Sequence, residues 1–307
     1  MASPLYPHRW EGDDPPLVAL HGFGGSGLDM EPLQKSAGLE ITAPDLLGHG
    51  RSPGSTVAKE HGLEAQLDSV LTLLEQRPFL LGYSMGARLA LHVAIREPAL
   101  VRGLVLIGGT PGLPPGPERG ERQRWDRQMA EDLRRLGTRT FMDRWATLPP
   151  MKSQGRHMDP EVYKAMVERR AAGDPETLAA SMEGFGRGAM PDAWEALDTL
   201  DTPTLLVVGQ EDARHLDIAR EMDQRLPAQR RAGKDVGIGI AAQQQRLIDQ
   251  HRAVPYVRRA AQLRQRQPRD QRLDEEQQEA AEQDRHHEQD APRTDHRPAS
   301  HAARSSE

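Results

Sequence analysis

The chain has no cysteine among its 307 residues, which excludes disulfide bonds and thiolate metal sites. Aromatic residues make up only 4% of the sequence, and hydrophobic residues 36%, which is low for a globular protein. A strong excess of one charge is also missing, because the formal net charge is −6. This mild balance does not indicate a nucleic acid partner. The lack of cysteine fits a reducing compartment without proving one.

Long apolar runs are absent as well. Met1 to Pro16 holds no apolar core of signal-peptide length. No stretch approaches the roughly 18 apolar residues that span a bilayer. We therefore expect a cytoplasmic protein without a membrane partner, either a monomer or a weak homo-oligomer. The sequence implies no cofactor and no metal.

Five short apolar runs predict buried strands. Most are apolar throughout, as is typical of parallel strands that are covered on both faces. Helical patterns separate several of them, which predicts a mostly parallel sheet with right-handed crossovers. The predicted strands are Leu17–Leu20, Leu39–Ala43, Phe79–Leu81, Leu104–Ile107 and Leu205–Val208.

Composition divides the chain into four predicted parts. Residues 1–112 and 201–228 hold the strands and form the two parts of an α/β core. Residues 113–200 are charged, and their apolar residues recur with a helical period, which predicts a helical cap. Ordinary crossover helices are the alternative, but the segment is too long for one crossover. Residues 229–307 have too little apolar surface to offset ordering entropy and predict a largely disordered tail. The candidate cap helices are Glu118–Leu136, Thr138–Thr147, Pro160–Ala172 and Glu176–Glu183.

The sequence GYSMG at residues 82–86 matches the pattern G-x-S-x-G, and it lies between a predicted strand and a predicted helix. This is the context of a nucleophile elbow, in which small residues permit a sharp turn. The hydroxyl of Ser84 would be exposed at a helix N-terminus, where the helix dipole favours developing negative charge. A turn without catalytic function is the alternative.

A second glycine-rich segment, HGFGG at residues 21–25, follows the first predicted strand. Its glycines would let backbone amides face the serine. The N–H groups of Phe23 and Met85 would then form an oxyanion hole. A plain glycine-rich turn is the alternative, and His21 is expected to shape this loop rather than to act as the base.

Asp212 follows the fifth predicted strand, in the order serine and then aspartate that is typical of the hydrolase triad. It would orient a histidine and stabilise its cation, although an aspartate at this place can also cap a helix. The expected histidine is missing, because residues 231–239 contain none. His215 is too close to Asp212 in sequence, and His251 lies in the polar tail.

Three arginines are candidates for binding an anionic substrate. Arg88 lies one helical turn after Ser84, and Arg122 and Arg170 lie in the predicted cap. Guanidinium groups bind carboxylates through two hydrogen bonds and keep their charge. Together they would indicate a substrate with several carboxylates, whereas each alone could be an ordinary surface arginine.

Several of these segments resemble one family of α/β hydrolases. The segments are HGFGGSG at residues 21–27, PDLLGHGRS at 44–52, GYSMGARLAL at 82–91 and GGTPGL at 108–113. With the cap arginines and Trp145, they are similar to the α/β-hydrolase-fold 2-succinyl-6-hydroxy-2,4-cyclohexadiene-1-carboxylate synthases of menaquinone biosynthesis. The resemblance covers about residues 15 to 228.

This resemblance implies a lyase that removes pyruvate from an enolpyruvoyl-cyclohexene carboxylate. Ser84 would abstract a ring proton, activated by a histidine paired with Asp212, while Phe23 and Met85 supply the oxyanion amides. The residues implied to bind the carboxylates or line the pocket are Arg88, Arg122, Arg170, Tyr83 and Trp145.

The sequence departs from the family pattern after about residue 228, where the family's Gly-His turn is not visible. A shifted reading frame is one explanation, and a divergent terminus with Lys234 near the position of the histidine is another; a neutral lysine would need strong desolvation. Besides the lyase, two functions stay open. One is hydrolysis of a carboxylic ester or a carbon–carbon bond, and the other is binding by a catalytically inactive protein.

Overall fold

The computed structural model describes residues 4–148, 151, 158–209, 212–227 and 238–241. A seven-stranded sheet with the order β1-β3-β2-β4-β5-β6-β7 forms its centre. Only β1 is antiparallel, to β3, and the other neighbouring strands are parallel. The strands are β1 (Pro7–Trp10), β2 (Asp13–Leu20), β3 (Leu39–Pro44), β4 (Phe79–Tyr83), β5 (Gly103–Ile107), β6 (Thr204–Gly209) and β7 (Ile238–Ala241).

Seven helices accompany the sheet in the described part of the chain. They are α1 (Glu31–Ala37), α2 (Leu63–Leu71), α3 (Met85–Arg96), α4 (Pro117–Trp145), α5 (Pro160–Ala171), α6 (Pro175–Phe185) and α7 (Ala213–Arg225). Short 3₁₀ turns lie at Gly27–Met30, Ala58–His61, Pro98–Leu100 and Glu195–Thr199. No helix in these described ranges is long and apolar enough to cross a membrane.

The central strands are buried on both faces, as their continuous apolar runs predict. Along β4, Leu80 packs with helices α2, α3 and α7, whereas Phe79 and Leu81 pack with α1 on the opposite face. Each of these three side chains is at most 1% exposed, and complete burial of one such side chain contributes roughly 1.5–3 kcal/mol. The predicted α/β fold, with a mostly parallel sheet between helical layers, is confirmed.

The described part of residues 113–200 contains helices and no strand, as the sequence predicts. The long helix α4 is interrupted at Gly137, whose φ of 75° and ψ of 160° lie outside the helical region. Glycine is suited to such a left-handed position. The interruption falls between the two helices that the sequence predicts here.

Helices α4 and α6 form a small core of their own. It contains Leu133, Phe141, Leu178 and Met182, and Phe23 of the sheet domain packs against it. Two parallel hydrogen bonds of 2.8 and 2.9 Å join Arg134 to Glu183 across these helices. These helices therefore cover the loop that carries Phe23.

Two strands differ from the sequence-based expectation. β1 was not predicted, because its sequence PHRW has no apolar run; among the described strands it lies at the edge of the sheet and pairs with β3. β7 lies in the segment that was predicted to be tail, but its backbone pairs with β6 from Leu206↔Ile238 to Gly209↔Ala241. Its sequence IGIA consists of apolar and small residues, which suits a strand of a parallel sheet. The other residues predicted to be disordered lie outside the described residues.

Candidate functional site

The turn between β4 and α3 holds Ser84 in a rare backbone conformation. Its φ is 51° and its ψ is −105°. For a residue other than glycine, such a conformation costs of order 1–3 kcal/mol and persists only where the surroundings enforce it. The Ser84 N–H donates to Ile107 O at 2.9 Å, and the Arg88 N–H donates to Ser84 O at 3.1 Å. The predicted strand–turn–helix geometry is present, with the half-buried serine at its apex.

Close packing at the turn explains why its glycines are required. A Cβ on Gly82 would overlap the backbone of Gly86, and a Cβ on Gly86 would overlap Leu20 O and lie 2.6 Å from His21 O. The first turn of α3 is therefore pressed against the end of β2 and the start of the loop that follows it. This contact brings the backbone of residues 21–25 next to the serine.

His21 shapes this loop, as the sequence predicts. Its ring is completely buried, with Nδ1 2.7 Å from Gly22 O, and its Nε2 accepts from the Leu46 N–H at 2.9 Å. The proton therefore lies on Nδ1, and the ring is neutral. Burial lowers the pKa of His21, and the charge of the nearby Arg170 acts in the same direction. Both ring nitrogens are in use, so His21 cannot serve Ser84 as a base.

The side chain of Phe23 links this loop to the cap. Its ring centroid lies 5.6 Å from that of His49 and 5.5 Å from that of Trp145. Trp145 in turn lies 6.0 Å from Trp125 and 5.7 Å from Phe141. Trp145, which was expected to line the pocket, thus lies against Phe23, which was expected to supply an oxyanion amide.

His49 gives the fold a testable pH dependence. Its ring is 2% exposed, and burial lowers its pKa to about 3. The unfolded chain binds this proton near pH 6.5, so stability is fully present above that pH and falls as the pH drops from 6.5 towards 3. Burial also lowers the pKa of His92, to about 4. From pH 7.5 to 5.5, each of the two rings should cost roughly 1 kcal/mol of unfolding free energy.

Urea unfolding at the two pH values measures this loss. In the variant His49→Asn, the loss should be smaller by about 1 kcal/mol, because one buried ring no longer takes up a proton on unfolding. An equal loss in the variant and in the unchanged chain would contradict the prediction.

Arg88 and Arg122 lie in one group of charges. Arg88 is 9% exposed, donates to Phe185 O at 3.2 Å and lies 5.4 Å from the centre of the Phe185 ring. Burial, and then repulsion from Arg122, lowers the pKa of Arg88 to about 9. Arg122 donates through Nε to Asp126 at 2.7 Å, and its guanidinium lies 4.3 Å from the centre of the Trp125 ring. The two predicted arginines are therefore brought together.

A third arginine, Arg187, belongs to this group and was missed from the sequence. Burial, the charge of Arg214 and the charge of Arg122 lower its pKa to about 10. Its Nε is buried without a hydrogen-bond partner in the described part of the chain, and its nearest carboxylate is that of Glu118, at 3.8 Å. Glycines flank it in a turn, so neither periodicity nor a motif marked it.

Positive charge exceeds negative charge in this group. The buried carboxylate of Asp126 accepts from Arg122 through Oδ1 and from the Gly188 N–H through Oδ2, at 2.9 Å. Arg187 also lines a cavity of about 1140 Å³, which acidic residues line as well, among them Glu118 and Asp192. The excess of positive charge therefore belongs to the three arginines around Asp126, and these can hold an anion that carries more than one negative charge.

The other predicted site residues occupy different surroundings. Arg170 lies near the end of α5, within electrostatic range of His21. Tyr83 is only 8% exposed, with its ring against Gly22. Met85 is buried as the first residue of α3. Among the described residues, no group of three or more histidines and carboxylates is placed to hold a metal.

Asp212 lies just before α7 and contacts His215 twice. Its Oδ1 accepts from the His215 backbone N–H at 3.2 Å, and its Oδ2 lies 2.8 Å from Nδ1 of the His215 ring. The helix cap that was considered as an alternative is therefore present. Burial acts to raise the pKa of Asp212, but the hydrogen bond and charge of His215 outweigh it and lower the pKa.

The strained serine turn, the glycine-rich loop and the acidic residue after β6 define a class of protein. A model of the alpha/beta hydrolase family matches residues 17–249. The chain belongs to this family.

Within the family, the chain is similar to one group of enzymes. A 2-succinyl-6-hydroxy-2,4-cyclohexadiene-1-carboxylate synthase from Salmonella paratyphi C is 32% identical over 221 residues, or 71% of this chain and 86% of the relative. A Bacillus subtilis protein, provisionally named for the same activity, is 34% identical over 222 residues, which are 70% of this chain and 80% of the relative. The resemblance predicted from the motifs is confirmed.

Solved structures agree with the fold. The structure of MenH from S. aureus has a TM-score of 0.75 at 23% identity and covers 84% of this chain and 98% of its own. A thermophilic esterase from Thermogutta terrifontis has a TM-score of 0.66 at 25% identity, and the match covers 83% of this chain and 91% of the esterase.

Proposed function

We propose that the chain is a carbon–oxygen lyase. It would eliminate pyruvate from 2-succinyl-5-enolpyruvoyl-6-hydroxy-3-cyclohexene-1-carboxylate to give 2-succinyl-6-hydroxy-2,4-cyclohexadiene-1-carboxylate, in menaquinone biosynthesis. The names of its relatives support this reaction, since two of them are more than 30% identical across most of their own length.

The group of arginines is the observation that carries the proposal. Arg88, Arg122 and Arg187 influence one another electrostatically, with one fully buried carboxylate, that of Asp126, among them. The Nη nitrogens of Arg122 make no hydrogen bond to any residue that the structure describes, while its Nε is held by Asp126. Such a cationic group is stabilised by an incoming carboxylate. A substrate with several carboxylates fits it better than a neutral ester.

The serine turn supplies the chemistry that this reaction needs. After its own proton has passed to a base, Ser84 Oγ would take a proton from the ring. The electrons of that C–H bond would form one new ring double bond, and the ring double bond already present would shift as the C–O bond to the enolpyruvoyl group breaks. Pyruvate would leave as its enolate and then take up a proton. The amides of Phe23 and Met85 would stabilise negative charge as it develops beside the removed proton.

Ester hydrolysis is a second candidate, because the same serine turn serves both reactions. The likeness to the Thermogutta terrifontis esterase favours it. In that reaction, Ser84 Oγ would attack the ester carbonyl, and the same amides would face the tetrahedral oxyanion.

Pyruvate release by the purified full chain tests the proposal. Pyruvate can be followed through reduction by lactate dehydrogenase and loss of NADH absorbance. Turnover of the enolpyruvoyl substrate without comparable turnover of a neutral p-nitrophenyl ester would support the lyase. Turnover of the ester alone would favour the hydrolase, and turnover of neither would favour an inactive binding protein.

The variant Arg122→Ala separates these substrates further. It should weaken kcat/KM for the anionic substrate about 10- to 100-fold, because a charge-assisted hydrogen bond contributes roughly 1.5–3 kcal/mol. Activity on a neutral ester should stay nearly unchanged. The matched control is Arg139→Ala, which removes an exposed cap arginine that pairs with Glu168 at 2.6 Å. Equal losses in both variants would contradict a role of Arg122 in binding the substrate.

A further inference from the structure

We propose that His215 is the general base that activates Ser84, in place of a histidine from a turn after the last strand. This inference rests on the proposed use of Ser84 as a base or nucleophile. It assigns the proton-accepting role to a residue that the sequence spacing argued against, because His215 lies only three positions after Asp212.

The contacts of His215 are those of an oriented base. Its Nδ1 lies 2.8 Å from Asp212 Oδ2, so the proton of a neutral ring lies on Nδ1 and the lone pair lies on Nε2. Nε2 makes no hydrogen bond to any residue in the described ranges. The other oxygen of Asp212 is held by the His215 backbone N–H, so one residue contacts both ends of the carboxylate.

The side chains of this pair are partly accessible. The His215 side chain is 22% exposed and that of Asp212 is 25% exposed. A structural histidine of this fold looks different: His21 is completely buried and uses both ring nitrogens. His215 is therefore able to exchange a proton with a bound molecule.

Sheet register places the pair at the same edge as the serine. Tyr83 of β4 pairs with Ile107 of β5, which pairs with Val207 of β6. Ser84 and Asp212 each follow the carboxyl end of their strand. The two strands are two spacings apart, or roughly 10 Å. No hydrogen bond joins His215 to Ser84 in this structure, and such contacts commonly tighten only with substrate bound.

The spacing of three residues is possible because α7 begins directly after Asp212. In the first helical turn, the third residue returns towards the capping residue, which brings the ring of His215 to the Asp212 carboxylate. In the proposed step, the Ser84 Oγ–H bond breaks and its proton passes to Nε2 of His215. The resulting imidazolium is stabilised by Asp212 and later returns the proton to the leaving group.

A fluorophosphonate probe tests the base independently of the substrate. When the probe reacts, a bond forms between Ser84 Oγ and phosphorus, fluoride leaves, and the Oγ proton passes to the base. The labelling rate of the full chain should rise with pH, because only the neutral base can accept the Oγ proton. In His215→Gln, the rate should fall about 100-fold or more and lose this pH dependence, and added imidazole should partly restore it.

Two further variants make the result decisive. Ser84→Ala should not be labelled, and His251→Gln, which changes the histidine in the predicted tail, should be labelled at the unchanged rate. The proposal is overturned if His215→Gln is labelled as fast as the unchanged chain, if His251→Gln is the slow variant, or if the unchanged chain is not labelled at all.

Pyruvate release is measured in the same samples. Labelling that depends on His215 without any pyruvate release would support the base and refute the lyase. Pyruvate release that is unaffected in His215→Gln would support the lyase and refute the base. Equal urea midpoints for the unchanged chain and His215→Gln would exclude misfolding as the cause of a slow rate.

Discussion

Replacement of Ser84 by alanine is expected to lower the rate of pyruvate release by about a thousandfold or more, since the group that takes the substrate proton is removed. The remaining rate would come from binding and from the oxyanion amides. Alanine can occupy the same strained turn at a similar cost, because the loss of Oγ does not change the steric limits on φ. The loss should therefore fall on kcat, and the urea midpoint should stay close to that of the unchanged chain.

Ser36→Ala is a suitable control for this variant. The Ser36 hydroxyl donates to Pro32 O at 2.8 Å within helix α1 and has no part in the proposed chemistry. Its pyruvate release should equal that of the unchanged chain. If Ser84→Ala retained more than about a tenth of the rate, Ser84 would not be the proton acceptor.

Replacement of Gly86 by alanine is expected to have the largest effect on stability. The added Cβ would meet Leu20 O and His21 O, which belong to the backbone and cannot move aside as a flexible side chain can. Overpacking of a close interior typically costs 1–3 kcal/mol, and a collision with backbone at a strained turn should cost about 3 kcal/mol or more. Urea unfolding measures this loss, and pyruvate release should fall with it, because the serine turn and the glycine-rich loop that carries Phe23 are pushed apart.

Gly120→Ala provides the matched control. Gly120 also lies inside a helix, α4, but the nearest atom to its added Cβ would be the end of the Arg124 side chain, at 3.7 Å. Alanine there should stabilise the chain by up to about 1 kcal/mol, because glycine is the poorer helix former. If both variants were destabilised alike, the contact between α3 and β2 would not explain the effect.

The central sheet could be predicted from sequence because its strands are buried on both faces and are marked by continuous apolar runs. β1 carries no such run, since it is an edge strand whose residues include Pro7, His8 and Arg9. β7 has only four residues inside a polar segment, and its pairing with β6 is a long-range contact that local composition cannot report.

The serine turn and the glycine-rich loop that carries Phe23 could be predicted because each needs glycines at fixed spacing. The charged residues of the candidate site could be predicted only in part. Arg187 lies in a turn without a motif, and its grouping with Arg122 depends on how the cap folds back. His215 was set aside on sequence distance, whereas the start of a helix at Ala213 turns a spacing of three into a direct contact.

The interruption of α4 at Gly137 brings two distant tryptophans together. Trp125 and Trp145 are 20 residues apart, which in a straight helix would separate them by roughly 30 Å along the axis. Their ring centroids lie 6.0 Å apart. This single interruption folds α4 back on itself, so the ring contacts of Trp145 with both Trp125 and Phe23 depend on a backbone conformation at Gly137 that other residues rarely adopt.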